Sequence, residues 1–420
     1  MESRILSTVP PRSVIVSHPT GNANVRAILE GLEARGLLKA YLTDFAWNER
    51  AFWLSLLPPR LREQAMKRSY RIPPGRISNV FGREAVRQFG IESGWRGLVE
   101  PTRGWASPDQ VYRRLDEKAA RSIREGRLKA DAIYAYEGAA SRTFPAAREA
   151  GMRLIYELPI AYVTTRQRIL TEEAERDPEW AQAGLLLHES PEKTAAQIAE
   201  AEMADHIVVP SRFVYESLPE AIRAKTPVTV APYGSPPTPD TLPERANDGK
   251  FRVLFVGQMS QRKGFAYLGR AARRFEGSEV EFHIIGSRVG PEELYQKEFP
   301  SMVYHGTQPH PRVLDAMATA DLFVFPSLCE GRALVQQEAL SRGLPLVTTL
   351  NAGADDLIED GVTGQLVPIR DADALAAAIE RFLLGRAEAE DRRRACIAKA
   401  ESLTWESFAG AALEGAGLIP

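Results

Sequence analysis

Cysteine and long apolar runs are both scarce in this chain of 420 residues. Its two cysteines, Cys329 and Cys396, are too few for a disulfide framework, which favours a reducing compartment. No apolar run approaches the roughly 20 residues that a membrane-spanning helix needs. The first residues lack the basic segment, apolar core and cleavage site of a secretory signal. No Cys/His cluster is present, so we expect no structural metal, and the absences together predict a soluble cytoplasmic protein.

The composition is that of an ordinary globular protein, with 44% hydrophobic and 26% charged residues. The length favours two or three domains. The net charge of -2 hides an asymmetry, because residues 1–125 carry 21 Lys and Arg against 13 Asp and Glu. A basic N-terminal third predicts an anionic partner there, such as a membrane surface, a lipid-linked phosphate, an acidic sugar or nucleic acid, or else a solvated surface.

Short β-branched runs alternate with longer segments of helical period along the chain. Runs that are apolar on both faces are typical of parallel strands that helices cover on both sides. The predicted strands lie at residues 13–17, 131–135, 153–157, 206–209, 227–231, 251–257, 281–285, 302–305, 322–326 and 345–348. The sequence therefore predicts an α/β protein with parallel sheets.

A proline-rich break divides the chain. Residues 231–250 contain Pro232, Pro236, Pro237 and Pro239, which are incompatible with a helix or a central strand and predict a semi-rigid spacer.

The break predicts a two-domain organisation. We expect an N-terminal domain over residues 1–235, a linker over 236–250, a C-terminal domain over 251–395, and a helical segment over 396–420 that packs back on the N-terminal domain. Two doubly wound domains joined in this way leave a cleft between the carboxyl ends of their strands, where ligands of α/β sheets bind.

Two motifs of the predicted C-terminal domain suit a ligand with phosphates and hydroxyl groups. A predicted strand ends at Gly257, and Arg262 and Lys263 stand just before a helical segment. Backbone N–H groups and cations at such a turn bind anions. Glu330 and Glu338 follow a later strand-like run, and carboxylates accept the paired hydroxyl donors of sugars. Each feature alone is also compatible with a solvated turn or a helix-dipole interaction.

These segments together resemble the nucleotide-sugar domain of glycosyltransferase family 4. The resemblance covers residues 251 to about 385 and includes the two glutamates within PSLCEGRALVQQEALSRGLPLV, and DLIEDGVTGQLVP further on. It implies a GT-B fold, in which two Rossmann-like domains face each other across a cleft, and a retaining transferase.

The resemblance also implies roles for the motif residues. Lys263 and Arg262 would bind the donor diphosphate beside Gly257, Glu338 would accept hydrogen bonds from the ribose hydroxyls, and Glu330 would lie beside the transferred sugar. The donor would be a UDP- or GDP-linked sugar, with no further cofactor and no metal.

The turn after the first glutamate departs from the family pattern. Backbone N–H groups from Gly331 to Leu334 would hold sugar hydroxyls and phosphate, but Arg332 and Ala333 stand where an aromatic residue and a second glycine are usual. We expect Arg332 either to reach an anionic sugar or acceptor or to be solvated. Gln258 replaces the usual arginine after the strand, so the arginine before the lysine is expected to supply that charge.

In the N-terminal domain, HPTGNANVR (residues 18–26) follows the first predicted strand and opens a helix. Gly21, Asn22 and Asn24 suit a tight turn and a helix cap that face the cleft. The segment resembles the family's glycine-bearing loop near the donor phosphate and the acceptor. We expect His18 to be either an ordinary strand-end histidine or a catalytic residue.

A second N-terminal candidate is Glu157, which stands at the end of a later predicted strand where many family members carry a histidine near the donor sugar. We predict it to be an acceptor-side base or a sugar ligand. The acidic run at residues 171–180 is expected to line the acceptor region or to form a solvated helix.

Residues 47–76 interleave bulky apolar residues with seven Arg or Lys. Such a composition predicts peripheral contact with the inner face of a membrane, or a core helix followed by a polar one.

The combined interpretation is a retaining hexosyltransferase that acts in polysaccharide or glycoconjugate synthesis. It would move a sugar from the nucleotide to a hydroxyl of a sugar, lipid-linked or other acceptor, with no nucleic acid involved. The resemblance favours front-face attack, with double displacement through Glu330 as the mechanistic alternative. Other hypotheses are an epimerase or phosphorylase on the same fold, and a degenerate, non-catalytic scaffold.

Overall fold

A computed structural model describes residues 12–80, 82, 84, 86–87, 104–184, 189–246 and 248–420. Their strands are β1 (Val14–Ser17), β2 (Leu38–Thr43), β3 (Trp47–Asn48), β4 (Ser69–Tyr70), β5 (Ile77–Asn79), β6 (Ala132–Tyr136), β7 (Arg153–Glu157), β8 (His206–Val209), β9 (Val228–Val230), β10 (Phe251–Val256), β11 (Val280–Ile285), β12 (Val303–Tyr304), β13 (Leu322–Phe325), β14 (Leu346–Thr348) and β15 (Gly364–Leu366).

The α-helices of the same residues are α1 (Ala23–Ala34), α2 (Pro59–Met66), α3 (Pro108–Arg124), α4 (Thr143–Glu149), α5 (Val163–Arg176), α6 (Pro178–Ala181), α7 (Pro191–Met203), α8 (Arg212–Ser217), α9 (Glu220–Lys225), α10 (Phe265–Ala272), α11 (Glu292–Glu298), α12 (His310–Thr319), α13 (Leu334–Ser341), α14 (Ala372–Leu384), α15 (Ala389–Ser402) and α16 (Trp405–Gly415). N-cap serines followed by proline mark the start of two of these helices. Ser107 caps α3 through Gln110 N at 3.4 Å, and Ser190 caps α7 through Lys193 N at 3.2 Å, each ahead of a proline in the first turn.

The N-terminal sheet has seven parallel strands in the order β5-β2-β1-β6-β7-β8-β9. Every residue of β1 and β6 is buried, because α1 and α16 cover one face of the sheet while α4, α7 and α8 cover the other. Burial of each large aliphatic side chain stabilises the fold by roughly 1.5–3 kcal/mol. The strand order reverses between β1 and β6, so the loops after these strands flank a crevice at the carboxyl edge.

The C-terminal sheet has six parallel strands in the order β12-β11-β10-β13-β14-β15. Its order reverses between β10 and β13, which brings the loop after Val256 beside the loop after Phe325. The predicted α/β class and both parallel sheets are confirmed. The sequence prediction missed β2, β3, β4, β5 and β15. β2 carries an exposed Lys39, and the other four strands have only two or three residues each.

The end of the chain crosses from one domain to the other near Leu403. Its carbonyl accepts a hydrogen bond from Ser235 N at 2.8 Å, so the two crossing segments run side by side. Helix α15 packs on α13 of the C-terminal domain, and α16 packs on α1 of the N-terminal domain. The crossing therefore lies after α15, and not at residue 396, because the apolar face of α15 around Cys396 completes the C-terminal core.

The proline-rich segment is fastened along the C-terminal domain. Arg342 donates to the carbonyl of Pro237 at 3.2 Å, and Arg393 donates to that of Pro243 at 2.8 Å. These bonds compensate carbonyls that the prolines leave without a regular partner. No helix among the described residues is both long enough and apolar enough to cross a bilayer.

Candidate active site

The two cations of the first motif sit on a turn that joins β10 to α10. A 3-10 helix spans Gln261–Lys263, and Gly264 ends it with φ 71°. A Cβ atom on Gly264 would lie 2.0 Å from the carbonyl oxygen of Pro326, so only glycine permits this approach. The loops after β10 and β13 are thereby pressed together, which carries Arg262 and Lys263 to the second motif.

Arg262 and Lys263 both form ion pairs with one carboxylate oxygen of Glu330. Arg262 Nη1 also donates to the carbonyl of Cys329 at 3.0 Å, and Lys263 Nζ lies 4.7 Å from the ring centroid of Phe325. Burial lowers the pKa of Lys263, while Glu330 opposes the shift and Arg262 adds to it. Two mostly buried cations facing one carboxylate leave an excess positive charge, which suits an additional anion.

The turn after Glu330 lies at the contact between the two domains. A Cβ atom on Gly331 would lie 1.7 Å from the carbonyl oxygen of Pro159. Pro159 lies two residues after the end of β7 in the N-terminal domain. Ser211 Oγ donates to the carbonyl of Gly331 at 2.7 Å, and Glu330 N donates to the carbonyl of Asn351 at 2.9 Å. The glycine therefore serves close interdomain packing.

Neither expectation for the side chain of Arg332 matches its position. The side chain is fully buried, and its guanidinium binds both oxygens of Asp356 at 2.5 and 3.0 Å and Gln337 Oε1 at 3.2 Å. A solvated Arg332 is therefore wrong, and contact with an anionic sugar would require a buried ion pair to break. The N–H of Ala333 donates to the carbonyl of Ala352 at 3.2 Å, so it is engaged within the fold. Leu334 begins α13, whose first N–H groups have no partner within the helix.

Glu338 lies on α13 beside a histidine that the sequence analysis missed. Its Oε1 is 3.0 Å from Nε2 of His310, the first residue of α12. The side chain of Glu338 is 23% exposed and that of His310 is 61% exposed, so both can be reached from solvent. A helix-initial histidine carries no sequence signal that would link it to a glutamate on the next helix. The predicted ribose contact of Glu338 remains a prediction.

His18 organises the loop after β1. The residue is buried, and its Nδ1 accepts hydrogen bonds from the backbone N–H groups of Thr20 at 3.1 Å and Gly21 at 2.8 Å. Burial, followed by the charge of Arg68, lowers the pKa of His18 to about 3. A neutral imidazole whose Nδ1 lone pair is already occupied fits the structural alternative better than catalysis. Gly21 has φ 64°, and a Cβ there would collide with the Tyr70 hydroxyl at 1.7 Å.

Asn22 and Asn24 separate in the structure. Asn22 is exposed at the N-terminus of α1, and its side chain makes no capping hydrogen bond. Asn24 is buried and donates from Nδ2 to Glu157 Oε1 at 2.6 Å. The helix cap predicted for this loop is therefore absent, while Asn22 stays available to the cleft.

Glu157 is not placed to act on a substrate. It is fully buried, and its carboxylate also accepts hydrogen bonds from Tyr134 at 2.7 Å and from Tyr233 at 3.0 Å. Burial raises the pKa of Glu157, against the opposing effect of these hydrogen bonds. The acceptor-side roles predicted for Asn24 and Glu157 are therefore wrong. Both side chains belong to a buried hydrogen-bond network beneath the loop after β1, with partners in the N-terminal domain and at Tyr233 in the segment that leads to the other domain.

The acidic run at residues 171–180 is an interdomain contact. Glu173 is fully buried and accepts hydrogen bonds from Tyr267 Oη at 2.9 Å, from Arg370 Nε at 2.8 Å and from Gln261, the residue before Arg262. Both expectations for this run, acceptor lining and a solvated helix, miss this role. The carboxylate supports the cationic turn from the opposite domain.

These observations place Lys263, Arg262 and Glu330 in one cluster, with Gly257 at the preceding strand end and Glu338 on the helix that follows the turn. Residues 250–384 match the protein family described as Glycosyl transferases group 1. Residues 250–384, called the group 1 domain below, are therefore similar to the group 1 glycosyltransferases. The resemblance to glycosyltransferase family 4 is thereby confirmed.

Relatives of the group 1 domain include two named transferases. The chain is 31% identical over 166 residues to the amylovoran biosynthesis glycosyltransferase AmsK of Erwinia amylovora, covering 36% of this chain and 40% of that protein. It is 29% identical over 157 residues to a GDP-mannose-dependent alpha-mannosyltransferase of Corynebacterium glutamicum, covering 37% of each. The matches thus span well under half of each relative.

Solved structures extend the likeness to both domains. Sucrose-phosphate synthase from Thermosynechococcus elongatus superposes with a TM-score of 0.62 at 18% identity, covering 95% of this chain and 96% of that one. Anabaena Alr3699/HepE in complex with UDP superposes with a TM-score of 0.58 at 16% identity, covering 96% and 98%. The group 1 domain is therefore one half of a GT-B fold, as predicted.

Proposed function

We propose that the protein is a retaining glycosyltransferase that moves a sugar from a nucleoside diphosphate to an acceptor hydroxyl, in polysaccharide or glycoconjugate synthesis. The observation that carries the proposal is the cluster of Lys263, Arg262 and Glu330 at the strand-order reversal of a group 1 domain. The names of the relatives support it, since one is dependent on GDP-mannose and another takes part in amylovoran biosynthesis.

The cluster is suited to stabilise a leaving nucleoside diphosphate. Negative charge grows on the diphosphate as the glycosidic bond breaks, and fixed cations in a largely buried site stabilise that charge without reorganisation. Lys263 is the stronger candidate for this role, because burial withdraws its ammonium group from water and lowers its pKa, whereas a neighbouring diphosphate would favour the charged form. Loss of one such group typically lowers kcat by roughly 10²–10³.

The contacts of Glu330 favour front-face attack over double displacement. Its carboxylate oxygen is shared by two cations, and ion pairing reduces the electron density available for attack on the anomeric carbon. In front-face attack the donor phosphate accepts the proton of the incoming hydroxyl while the leaving group departs on the same side. Mass spectrometry of rapidly quenched enzyme with donor tests the choice, and a glycosyl group covalently attached to Glu330 would refute it.

A thermal-shift screen tests the proposed function. UDP, GDP and their sugars are added to the wild type, to Lys263→Ala, and to the control Lys225→Ala, which removes an exposed lysine on α9. One nucleotide at about 100 times its Kd should stabilise the wild type and the control by roughly 2.7 kcal/mol, and Lys263→Ala far less.

Each other outcome assigns a different function. Absence of stabilisation by any nucleotide would support the non-catalytic scaffold and overturn the proposal. Turnover of a sugar nucleotide without an acceptor would indicate an epimerase, and a requirement for phosphate would indicate a phosphorylase.

A further inference from the structure

The chain between β2 and β5 carries an exposed apolar tip. A 3-10 helix spans Phe52–Leu56, in which Leu54 is buried while Phe52 and Leu56 are 80% and 75% exposed. Trp53 is half-buried and packs its ring against Trp47, with centroids 5.1 Å apart. Leu54 and Trp53 thus pack inward, while Phe52 and Leu56 point toward solvent. This exposure excludes the core helix that was the alternative interpretation of this segment.

Basic residues accompany the apolar tip. Residues 47–76 contain seven Arg or Lys against two Asp or Glu. Arg50, Arg62 and Lys67 are exposed, and α2, which carries Arg62, packs against the 3-10 helix. Apolar side chains that enter the acyl boundary, beside cations that meet lipid phosphates, are the chemistry of peripheral binding to an anionic bilayer.

The same chain segment is fastened to the loop after β1. Arg26 of α1 donates to the carbonyl of Lys67 at 2.7 Å, and its guanidinium lies 4.4 Å from the ring centroid of Tyr70. Arg68 donates to the carbonyl of Thr20 at 3.0 Å. A membrane that binds the apolar tip would therefore lie close to the N-terminal side of the cleft.

We propose that residues 50–67, the membrane tip, dock the protein on an anionic phospholipid surface. Phe52 and Leu56 enter the boundary between headgroups and acyl chains, and Arg50, Arg62 and Lys67 bind lipid phosphates. This contact does not depend on the transferase chemistry. Its consequence for the substrate does rest on the proposed function: a cleft beside the bilayer favours an acceptor hydroxyl carried on a membrane lipid.

Co-sedimentation of the full chain with vesicles tests the membrane tip. We expect binding to equimolar phosphatidylglycerol and phosphatidylcholine, weak binding to pure phosphatidylcholine, and a loss of binding as salt shortens the screening length. Arg62→Ala/Lys67→Ala should lower the partition coefficient about thirtyfold, at roughly 1 kcal/mol for each cation beside an anionic surface. Phe52→Ser/Leu56→Ser should lower it at least as much.

A matched control is Leu384→Ser, which removes a leucine that is 78% exposed at the end of α14 and should leave vesicle binding unchanged. The proposal would be overturned if the wild type did not co-sediment with anionic vesicles, or if the tip variants bound them as strongly as the wild type does. So would a wild-type dimer on size exclusion that Phe52→Ser/Leu56→Ser dissociates, since the tip would then be an interface between copies. Nucleotide thermal shifts on the same samples report on the proposed function separately.

Discussion

Replacing Asp356 with Asn should destabilise the C-terminal domain far more than replacing Arg332 with Met. The side chain of Arg332 is fully buried, whereas that of Asp356 is 29% exposed. Asp356→Asn leaves a buried guanidinium without its counter-charge, and breaking a buried pair in this way costs about 3–5 kcal/mol. Because water reaches Asp356, we take the lower end, about 3 kcal/mol. Arg332→Met leaves a carboxylate that water can solvate. It also removes the donor of the buried Gln337 Oε1, and the two effects together should cost about 1 kcal/mol.

The double variant Arg332→Met/Asp356→Asn separates the pair from its parts. It should lose no more than about 1 kcal/mol, so that the coupling energy of the cycle is about 3 kcal/mol. A domain of roughly 150 residues has an unfolding entropy near 0.32 kcal/mol/K, so Asp356→Asn should lower its Tm by about 9 °C. Scanning calorimetry measures the Tm of each domain separately.

A control for this cycle is Asp360→Asn, whose partner Arg381 lies at 3.0 Å. Both side chains are about half or more exposed, so the loss should stay within about 0.5 kcal/mol. Equal, small losses for Asp356→Asn and Asp360→Asn would refute the reasoning, because they would mean that the guanidinium of Arg332 finds water once its partner is neutral.

Three further outcomes follow from other contacts. Burial raises the pKa of Glu200 to about 7, so the folded state binds a proton that the unfolded state has already released. The free energy of unfolding should therefore fall by up to roughly 3 kcal/mol as pH rises from about 4.5 through 7. Urea titrations of Glu200→Gln should show a flatter pH profile, and an unchanged profile would mean that another group causes the dependence. Gly331→Ala, whose Cβ meets the Pro159 carbonyl, should lower both Tm and kcat, whereas Gly410→Ala in open space on α16 should raise Tm slightly; a harmless Gly331→Ala would show that the domains are not closely packed there. Lys263→Ala should reduce kcat, measured at saturating donor, by roughly 10²–10³. A variant that turns over as fast as the wild type would exclude a role for Lys263 at the leaving group.

Much of the fold could be predicted because its signals are local. The apolar run VIVS can be buried only as a strand covered on both sides, and the alternation of such runs with helical segments requires parallel sheets. The pairing of Lys263 with Glu330 was also within reach, since each stands just past a strand end and the carboxyl ends of β10 and β13 share one edge.

The failures concern side chains whose partners are remote in sequence. Glu157 suits a sugar ligand by its place at a strand end, yet Asn24 and Tyr233 converge on it from two other parts of the chain. Arg332 looks like a solvated or ligand-binding cation until Asp356 is brought beneath it. A motif fixes residue type and spacing, but burial depends on what packs above the residue.

The sequence by itself determined the α/β class, the two domains, the cationic turn and the two glutamates, because strand and helix periods and turn glycines act over a few residues. Only the tertiary structure decided which polar groups face the cleft and which are consumed inside the protein. It turned Glu157, Asn24, Arg332 and Glu173 inward and left Glu338, Asn22 and the membrane tip accessible. The physical reason is that desolvation and hydrogen-bond satisfaction are properties of the packed molecule, to which residues distant in sequence contribute equally with neighbours.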